Sequence, residues 1–304
     1  MIALLAPGQG SQKPGMLAPW LDLPGAAERL SLWSKASGLD LARLGTTATA
    51  DEITDTAVTQ PLVVAAALLA AAEINDEAID SDIVVAGHSV GELAAAAVAG
   101  VISADEAVML AAIRGAEMAK ACALEPTGMS AVLGGDEAAV LERLAELDLI
   151  PANRNAVGQI VAAGRLESLA ALADNPPEKA RVRALPVAGA FHTAFMAPAQ
   201  DAVTEAIAQI VPSEPTRTLL SNFDGKPVAS GADAVAKLAA QVTRPVRWDL
   251  CTETMRAAEV SMVAELPPAG TLVGIAKREL KGTPTVALKT PEDLPALAGH
   301  AMSG

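Results

Sequence analysis

Position 89 is a serine flanked by glycines two residues away on either side, in Gly87-His88-Ser89-Val90-Gly91. The apolar run DIVVAG (82 to 87) precedes it and VGELAAAAVA follows, which reads as buried strand, tight turn, helix. In that setting the glycines remove side chains that would collide, so the serine hydroxyl is held exposed in a strained elbow. The following helix aims its N-terminal N–H groups and positive dipole end at the same spot. A serine so placed is a nucleophile, and a nucleophilic serine needs a base. Only three histidines exist. His88 adjoins the nucleophile and points away from it in a sharp elbow, which suits packing. His300 lies four residues from the C-terminus. His192, in PVAGAFHTAFMAPA, is the base left by elimination.

Two further stretches bear on the same chemistry. PGQGSQ (7 to 12) leaves an apolar run, IALLA (2 to 6), and Lys13 takes the place that a nucleotide-binding G-x-G-x-x-G would give to its third glycine. As a loop leaving a strand it can bring a backbone N–H to the serine. An oxyanion hole takes one donor from the residue after the nucleophile and one from another loop, so Val90 and Gln9 are its expected donors. Arg114 stands 25 residues after Ser89 in MLAAIRGAEM, with Leu110 rather than an acid four residues before it. It is either a surface arginine on an amphipathic helix or a guanidinium awaiting a planar anion such as a substrate carboxylate, which it would hold bidentately.

The elements that must position these residues alternate. IALLA reads as a central strand, Thr59-Gln-Pro61 opens a helix through VVAAALLAAAEI, and DIVVAG is the next strand. VGELAAAAVA is a helix stopped by Gly100, and Ser103-Ala-Asp-Glu106 is a capping box for a helix carrying Arg114 to about Ala121. This alternation predicts a parallel α/β sheet. The pattern changes near Pro126. GMSAVLG, a helix capped by Asp136, LIPAN, QIVAAG, the helix RLESLAALAD and ARVRALPV run β-α-β-β-α-β, the ferredoxin-like arrangement, and predict an inserted subdomain over 124–188. The flanking segments 1–123 and 189–304 then form the main unit, with TRTLLSN and VSMVAELPPAG as further strands of it.

Bulk properties exclude several classes. With 304 residues, 51% of them apolar and 19% charged, the chain is globular. Its formal charge of −14 argues against nucleic acid, which demands a basic footprint. The alanine-rich runs are too short and too bounded by polar residues for membrane spans. The apolar start is too short for a signal peptide, and Cys122 and Cys251 read as reduced structural thiols, so the expected compartment is the cytoplasm. Three histidines and no CxxC predict no metal site.

Taken in order, PGQGSQ, GHSVGE, the arginine 25 residues on, NRNAVGQIVAAG (153 to 164), GAFH (189 to 192) and PVRW (245 to 248) resemble the malonyl-CoA:acyl-carrier-protein transacylase family of fatty acid synthesis, a relative of polyketide synthase acyltransferase domains. PVRWDLC and the alanine content resemble the actinobacterial members. The resemblance covers nearly the whole chain. It implies an α/β-hydrolase-like core with a mostly parallel sheet plus the ferredoxin-like subdomain. It implies that Ser89 is malonylated, His192 is its base, Arg114 holds the malonate carboxylate, Gln9 and Val90 supply oxyanion N–H groups, and the backbone carbonyl of Arg247 orients the histidine. GAFH resembles the HAFH signature of malonyl-specific members, so Phe191 would crowd an α-methyl group, a difference of about 1–3 kcal/mol. The sequence departs from the family in having Arg247 where many members have glutamine, and ELPPAGTL (265 to 272) where E-x-G-P-G is usual.

On this reading malonyl-CoA acylates Ser89, CoA leaves, and the phosphopantetheine thiol of acyl carrier protein takes the malonyl group, with no cofactor. The expected partners are malonyl-CoA and acyl carrier protein, with no nucleic acid and no membrane, and the expected state is a monomer. The acidic carrier protein would need a local basic patch, and AKRELKG offers Lys277, Arg278 and Lys281, which otherwise form a solvated helix face. Three alternatives stay open at this point: a serine hydrolase or thioesterase, which would orient its histidine with an acid such as Asp136, Asp148 or Asp174; a polyketide-pathway acyltransferase; and a carrier-protein-binding module with a dead site.

Overall fold

The structure, a computed structural model, describes residues 1–74 and 82–298; His300 lies outside them. In chain order the strands are β1 (Ile2–Ala6), β2 (Ile83–Gly87), β3 (Thr127–Gly134), β4 (Ile150–Ala156), β5 (Gln159–Arg165), β6 (Ala180–Ala184), β7 (Thr218–Leu220), β8 (Val246–Arg247), β9 (Met262–Glu265) and β10 (Thr285–Ala287). The main helices are α1 (Ala26–Ser37), α2 (Leu41–Thr46), α3 (Thr56–Ala71), α4 (Gly91–Val98), α5 (Ala104–Cys122), α6 (Glu137–Glu146), α7 (Leu166–Asp174), α8 (Ala197–Ile207), α9 (Gly231–Ala240), α10 (Trp248–Ala257) and α11 (Thr271–Glu279).

One sheet has the order β10-β9-β1-β2-β7 and every pairing in it is parallel. Its central strands β1 and β2 are apolar throughout because both faces are covered. Ile2, Leu4 and Ala6 of β1 pack on one side among residues of α3, α4 and α5, whereas Ala3 and Leu5 face Trp248, Cys251, Leu272 and Ile275 of α10 and α11. The register pairs Ala6 with Gly87, so β1 and β2 end side by side and their loops leave the same edge of the sheet together. The carboxyl ends of parallel strands are where such sheets build sites.

The second sheet has the order β6-β3-β5-β4-β8. Its first four strands are antiparallel in the ferredoxin-like order, and α6 and α7 cover one face around Val140, Leu144, Leu169 and Leu172. The other face, with Met129, Ala152, Val161 and Ala163, joins the main core. The fold class is therefore the expected one, α/β with a mostly parallel sheet and a mixed second sheet. The second sheet is not confined to the inserted stretch. β8, from the PVRW motif, pairs parallel with β4 and ties the two sheets together.

Two local readings need adjustment. α3 starts at Thr56 rather than Thr59, because the Asp55 side chain accepts from the Ala57 N–H and caps the helix there; Pro61 then lies inside it. The helix expected from Val90 begins at Gly91, with Val90 as its N-cap residue. The capping box of Ser103 and Glu106 and the Asp136 cap form as read.

Candidate active site

Ser89 has φ +55°, in the left-handed region that costs a non-glycine residue about 1–3 kcal/mol. The elbow has no room to relax. A Cβ at Gly87 would lie 2.1 Å from the Gly91 carbonyl carbon, and one at Gly91 would lie 2.3 Å from the Ala6 carbonyl oxygen. Gly8, in the loop after β1, is equally constrained, since its Cβ would meet the His88 carbonyl oxygen at 2.5 Å. Asn222, just beyond β7, pins the turn from two sides: its Oδ1 accepts from the Ser89 N–H at 2.8 Å and its Nδ2 donates to the Gly87 carbonyl at 2.7 Å.

Ser89 Oγ and His192 Nε2 are 2.7 Å apart. His192 Nδ1 lies 2.9 Å from the backbone carbonyl of Gln241, which can only accept, so Nδ1 carries the proton and Nε2 is free to take the one on Ser89. Gln241 is the residue that caps the C-terminus of α9. Terminal helix carbonyls lack intrahelical donors, and this end of the helix dipole is negative. The orienting group is therefore Gln241, not Arg247. Arg247 lies in β8, where its N–H donates to the Asn222 carbonyl at 2.9 Å and its guanidinium bonds both oxygens of Asp249, at 3.0 and 2.8 Å. Asp136, Asp148 and Asp174 are all exposed on the second-sheet unit, so none can orient the buried imidazole. His192 itself has φ +61°, and burial followed by the Arg114 charge pushes its pKa down to about 3. It is a neutral base at physiological pH.

Arg114 is 3% exposed and its guanidinium is directed at the same serine. Nη2 stands 3.4 Å from Ser89 Oγ and 3.0 Å from Gln241 Oε1, Nη1 donates to Gln60 Oε1 at 2.5 Å, and the buried Nε has no protein partner. Its hydrogen-bond partners are two neutral amides and the Ser89 hydroxyl, so the charge is held but not neutralised in direct contact. Burial brings its pKa down to about 10, which leaves it charged at neutral pH. The reading as a surface arginine is thereby excluded.

These groups line one cavity of about 180 Å³, shared by Gly8, Gln9 and Thr271 on the main unit and by Met129, Asn153 and Val161 on the second sheet. Phe191, 6% exposed, is part of its wall. Gln9 Nε2 donates to Thr56 Oγ1 at 3.2 Å, which ties that loop to the start of α3. The Gly91 and Glu92 N–H groups bond the carbonyls of His88 and Ser89 at 3.0 and 2.9 Å. His88 packs tilted against Trp248 with centroids 5.5 Å apart and bonds Asn155 Oδ1 through Nε2 at 2.8 Å, a packing role as expected.

The arrangement places a serine hydroxyl 2.7 Å from a neutral imidazole held by a backbone carbonyl, with a buried cation 3.4 Å from the same hydroxyl. The acyl transferase domain model matches residues 4–294. The malonyl CoA-acyl carrier protein transacylase of Mycolicibacterium smegmatis is 68% identical over 287 residues, covering 93% of this chain and 99% of that protein. The chain belongs to this transacylase family. A crystal structure of the Mycobacterium tuberculosis member is 67% identical and superposes with a TM-score of 0.95 over 98% of this chain and 99% of that one. A malonyl-transacylase in complex with a type II polyketide acyl-carrier protein is 28% identical, with a TM-score of 0.91 over 98% and 99% of the two chains. The likeness to actinobacterial members is thus borne out, and the chain is an acyltransferase.

Sequence reasoning missed four polar residues of this site: Gln60, Glu92, Asn222 and Gln241. Glu92 lies inside GHSVGE and Gln60 beside Pro61, so both sat in stretches already singled out. Asn222 and Gln241 carry no local signal, because they reach the site only when β7 and α9 are docked. The unusual ELPPAGTL loop is also explained. Buried Glu265 accepts from the N–H groups of Gly270, Leu272 and Val273 at 2.9 to 3.0 Å, fixing the start of α11 against the cavity.

Proposed function

We propose that this chain moves a malonyl group from malonyl-CoA to the phosphopantetheine thiol of acyl carrier protein in fatty acid synthesis, with Ser89 as the malonylated residue. The observation that carries it is Arg114, a buried guanidinium 3.4 Å from Ser89 Oγ with no carboxylate among its hydrogen-bond partners. His192 takes the Ser89 proton as Oγ attacks the thioester carbonyl. The tetrahedral oxyanion is met by the N–H groups of Gln9 and Val90 and collapses with loss of the CoA thiolate, which the imidazolium protonates. The malonyl carboxylate rests on Arg114, and Phe191 limits the space beside its methylene. In the second half His192 takes the proton of the carrier thiol as its sulfur attacks the malonyl-Ser89 ester, and the second tetrahedral oxyanion collapses with loss of Ser89 Oγ, which takes that proton back from the imidazolium. Positioning two reactants in this way is worth about 7–11 kcal/mol of barrier.

The residues of this chain supply every group these steps use, so the reaction takes no cofactor. The catalytic unit is 1–123 with 189–304, and 124–188 is the small subdomain that closes the cavity. No helix among the described residues is long and apolar enough to cross a membrane; the proposed setting is the cytoplasm, as a monomer. Comparing CoA release from malonyl-CoA with and without acyl carrier protein tests transfer against hydrolysis. Release is expected to depend on the carrier protein after one turnover, and equal release without it would make the protein a thioesterase.

The carrier protein docks on the basic stretch of α11. Thr271, Leu272 and Ile275 of that helix border the cavity, while Lys277, Arg278 and the following Lys281 are exposed. Arg278 donates to Gln159 Oε1 at 2.6 Å, and Gln159 also borders the cavity. Against a net charge of −14 such a local patch is what an acidic partner can use. The double variant Lys277→Glu/Lys281→Glu is expected to raise the KM for carrier protein about tenfold at low salt and leave that for malonyl-CoA unchanged. Equal effects on both substrates would count against the patch.

A further inference from the structure

Glu92 is 4% exposed, in the first turn of α4 three residues after Ser89, and no step above uses it. Its carboxylate sits where two lines of hydrogen bonds meet. Oε1 accepts from the Asn222 N–H at 2.6 Å, and Asn222 holds both sides of the Ser89 turn. Oε2 accepts a short hydrogen bond from Gln241 Nε2, which also donates to the Ser89 carbonyl at 3.0 Å. Gln241 in turn supplies its Oε1 to Arg114 and its backbone carbonyl to His192.

The polarity of this network has only one consistent assignment. Arg114 can only donate, so the Gln241 amide must present Oε1 to it. Its Nε2 then faces Glu92 and the Ser89 carbonyl, and both of those must accept. The Asn222 backbone N–H is also a donor. Position 92 therefore requires two acceptors and no donor, which a carboxylate provides and an amide does not. We propose that Glu92 is a positioning residue for acyl transfer, its two oxygens fixing Asn222 and Gln241 and through them the Ser89 elbow, the His192 carbonyl partner and the Arg114 guanidinium. This rests on the assignment of Ser89, His192 and Arg114 given above.

The charge has a consequence of its own. Glu92 opposes the Arg114 charge from nearby, and burial, set against the Asn222 and Gln241 hydrogen bonds, pushes its carboxyl up to about 7, so the ionised form with two acceptors and no donor is the one that prevails above that pH. Removing the carboxylate would leave the Arg114 cation more available to a malonyl carboxylate. A loss of positioning therefore appears in the rate of acylation and not as weaker malonyl-CoA binding.

The test is single-turnover acylation of the full chain by malonyl-CoA, read by intact mass, for Glu92→Gln and Glu92→Asp with melting temperatures measured alongside. Glu92→Gln keeps the shape but turns an NH2 toward a donor, and is expected to slow acylation about 10- to 100-fold at saturating malonyl-CoA while KM rises no more than about threefold. Glu92→Asp keeps the acceptors and the charge one methylene short, and is expected to recover part of the rate. An amide as fast as wild type, an amide faster than the aspartate, or a loss confined to KM would each overturn the proposal. Failure of both variants to fold would do the same by assigning Glu92 to the core. Ser89→Ala in the same assay keeps the two readings apart: an adduct on that variant overturns the nucleophile, whereas normal acylation of Glu92→Gln overturns only the role of Glu92.

Discussion

Mixed with malonyl-CoA, the wild-type chain is expected to gain one malonyl adduct by intact mass and Ser89→Ala none. The reason is that the whole geometry converges on Oγ: the Ser89 φ of +55°, the 2.7 Å approach of His192 Nε2 and the Arg114 Nη2 at 3.4 Å all refer to that atom. Transfer to acyl carrier protein should fall by about 10⁴-fold or more, as when a residue acting in a catalytic unit is deleted. Alanine at an already left-handed position adds no bulk, so the variant should fold and keep its malonyl-CoA binding. An adduct on Ser89→Ala, or transfer within tenfold of wild type, would remove Ser89 from the reaction.

The second large effect is one of selection. Arg114→Ala should cost malonyl transfer about 10²- to 10³-fold in kcat/KM, equivalent to about 3–4 kcal/mol for a lost buried charge pair. The same variant should change acetyl transfer far less, because an acetyl group brings no carboxylate to the guanidinium. The ratio of the two is the useful readout. It cancels whatever the substitution does to Gln60, Gln241 and the elbow, which serve both acyl groups. A malonyl-to-acetyl ratio like that of wild type would show that Arg114 does not hold the substrate carboxylate.

Much of this site was legible before any coordinates. The spacing of Gly87, Ser89 and Gly91 is a steric requirement of a turn a few residues long, and the close approaches at both glycines bear that out. The capping box of Ser103 and Glu106 is likewise a contact within one helical turn. His192 was reached by elimination among three histidines. Arg114 was singled out because an apolar helix face offered it no partner. Each of these arguments used local chemistry or composition.

The errors have the opposite character. The family resemblance implies that the backbone carbonyl of Arg247 orients His192, whereas the acceptor is the carbonyl six residues earlier, at Gln241. A backbone carbonyl has no side-chain signature, and which one is left unpaired depends on where α9 stops. Asn222 is 133 residues from Ser89 and Gln241 is 152. Their contacts exist only because β7 pairs beside β2 and α9 then brings its C-terminal end to the elbow.

By itself the sequence determined the parallel α/β and ferredoxin-like units, the Ser89 turn, and the serine, histidine and arginine proposed to transfer an acyl group. These follow from periodicity, caps and steric exclusion, which act over a few residues. The tertiary structure alone decided which carbonyl holds His192, that Arg114 is met by two glutamines, and that Glu92 stands behind Gln241 and Asn222. Those outcomes depend on which donors and acceptors remain unpaired once sheets and helices are packed. Burial makes each of them costly to leave so.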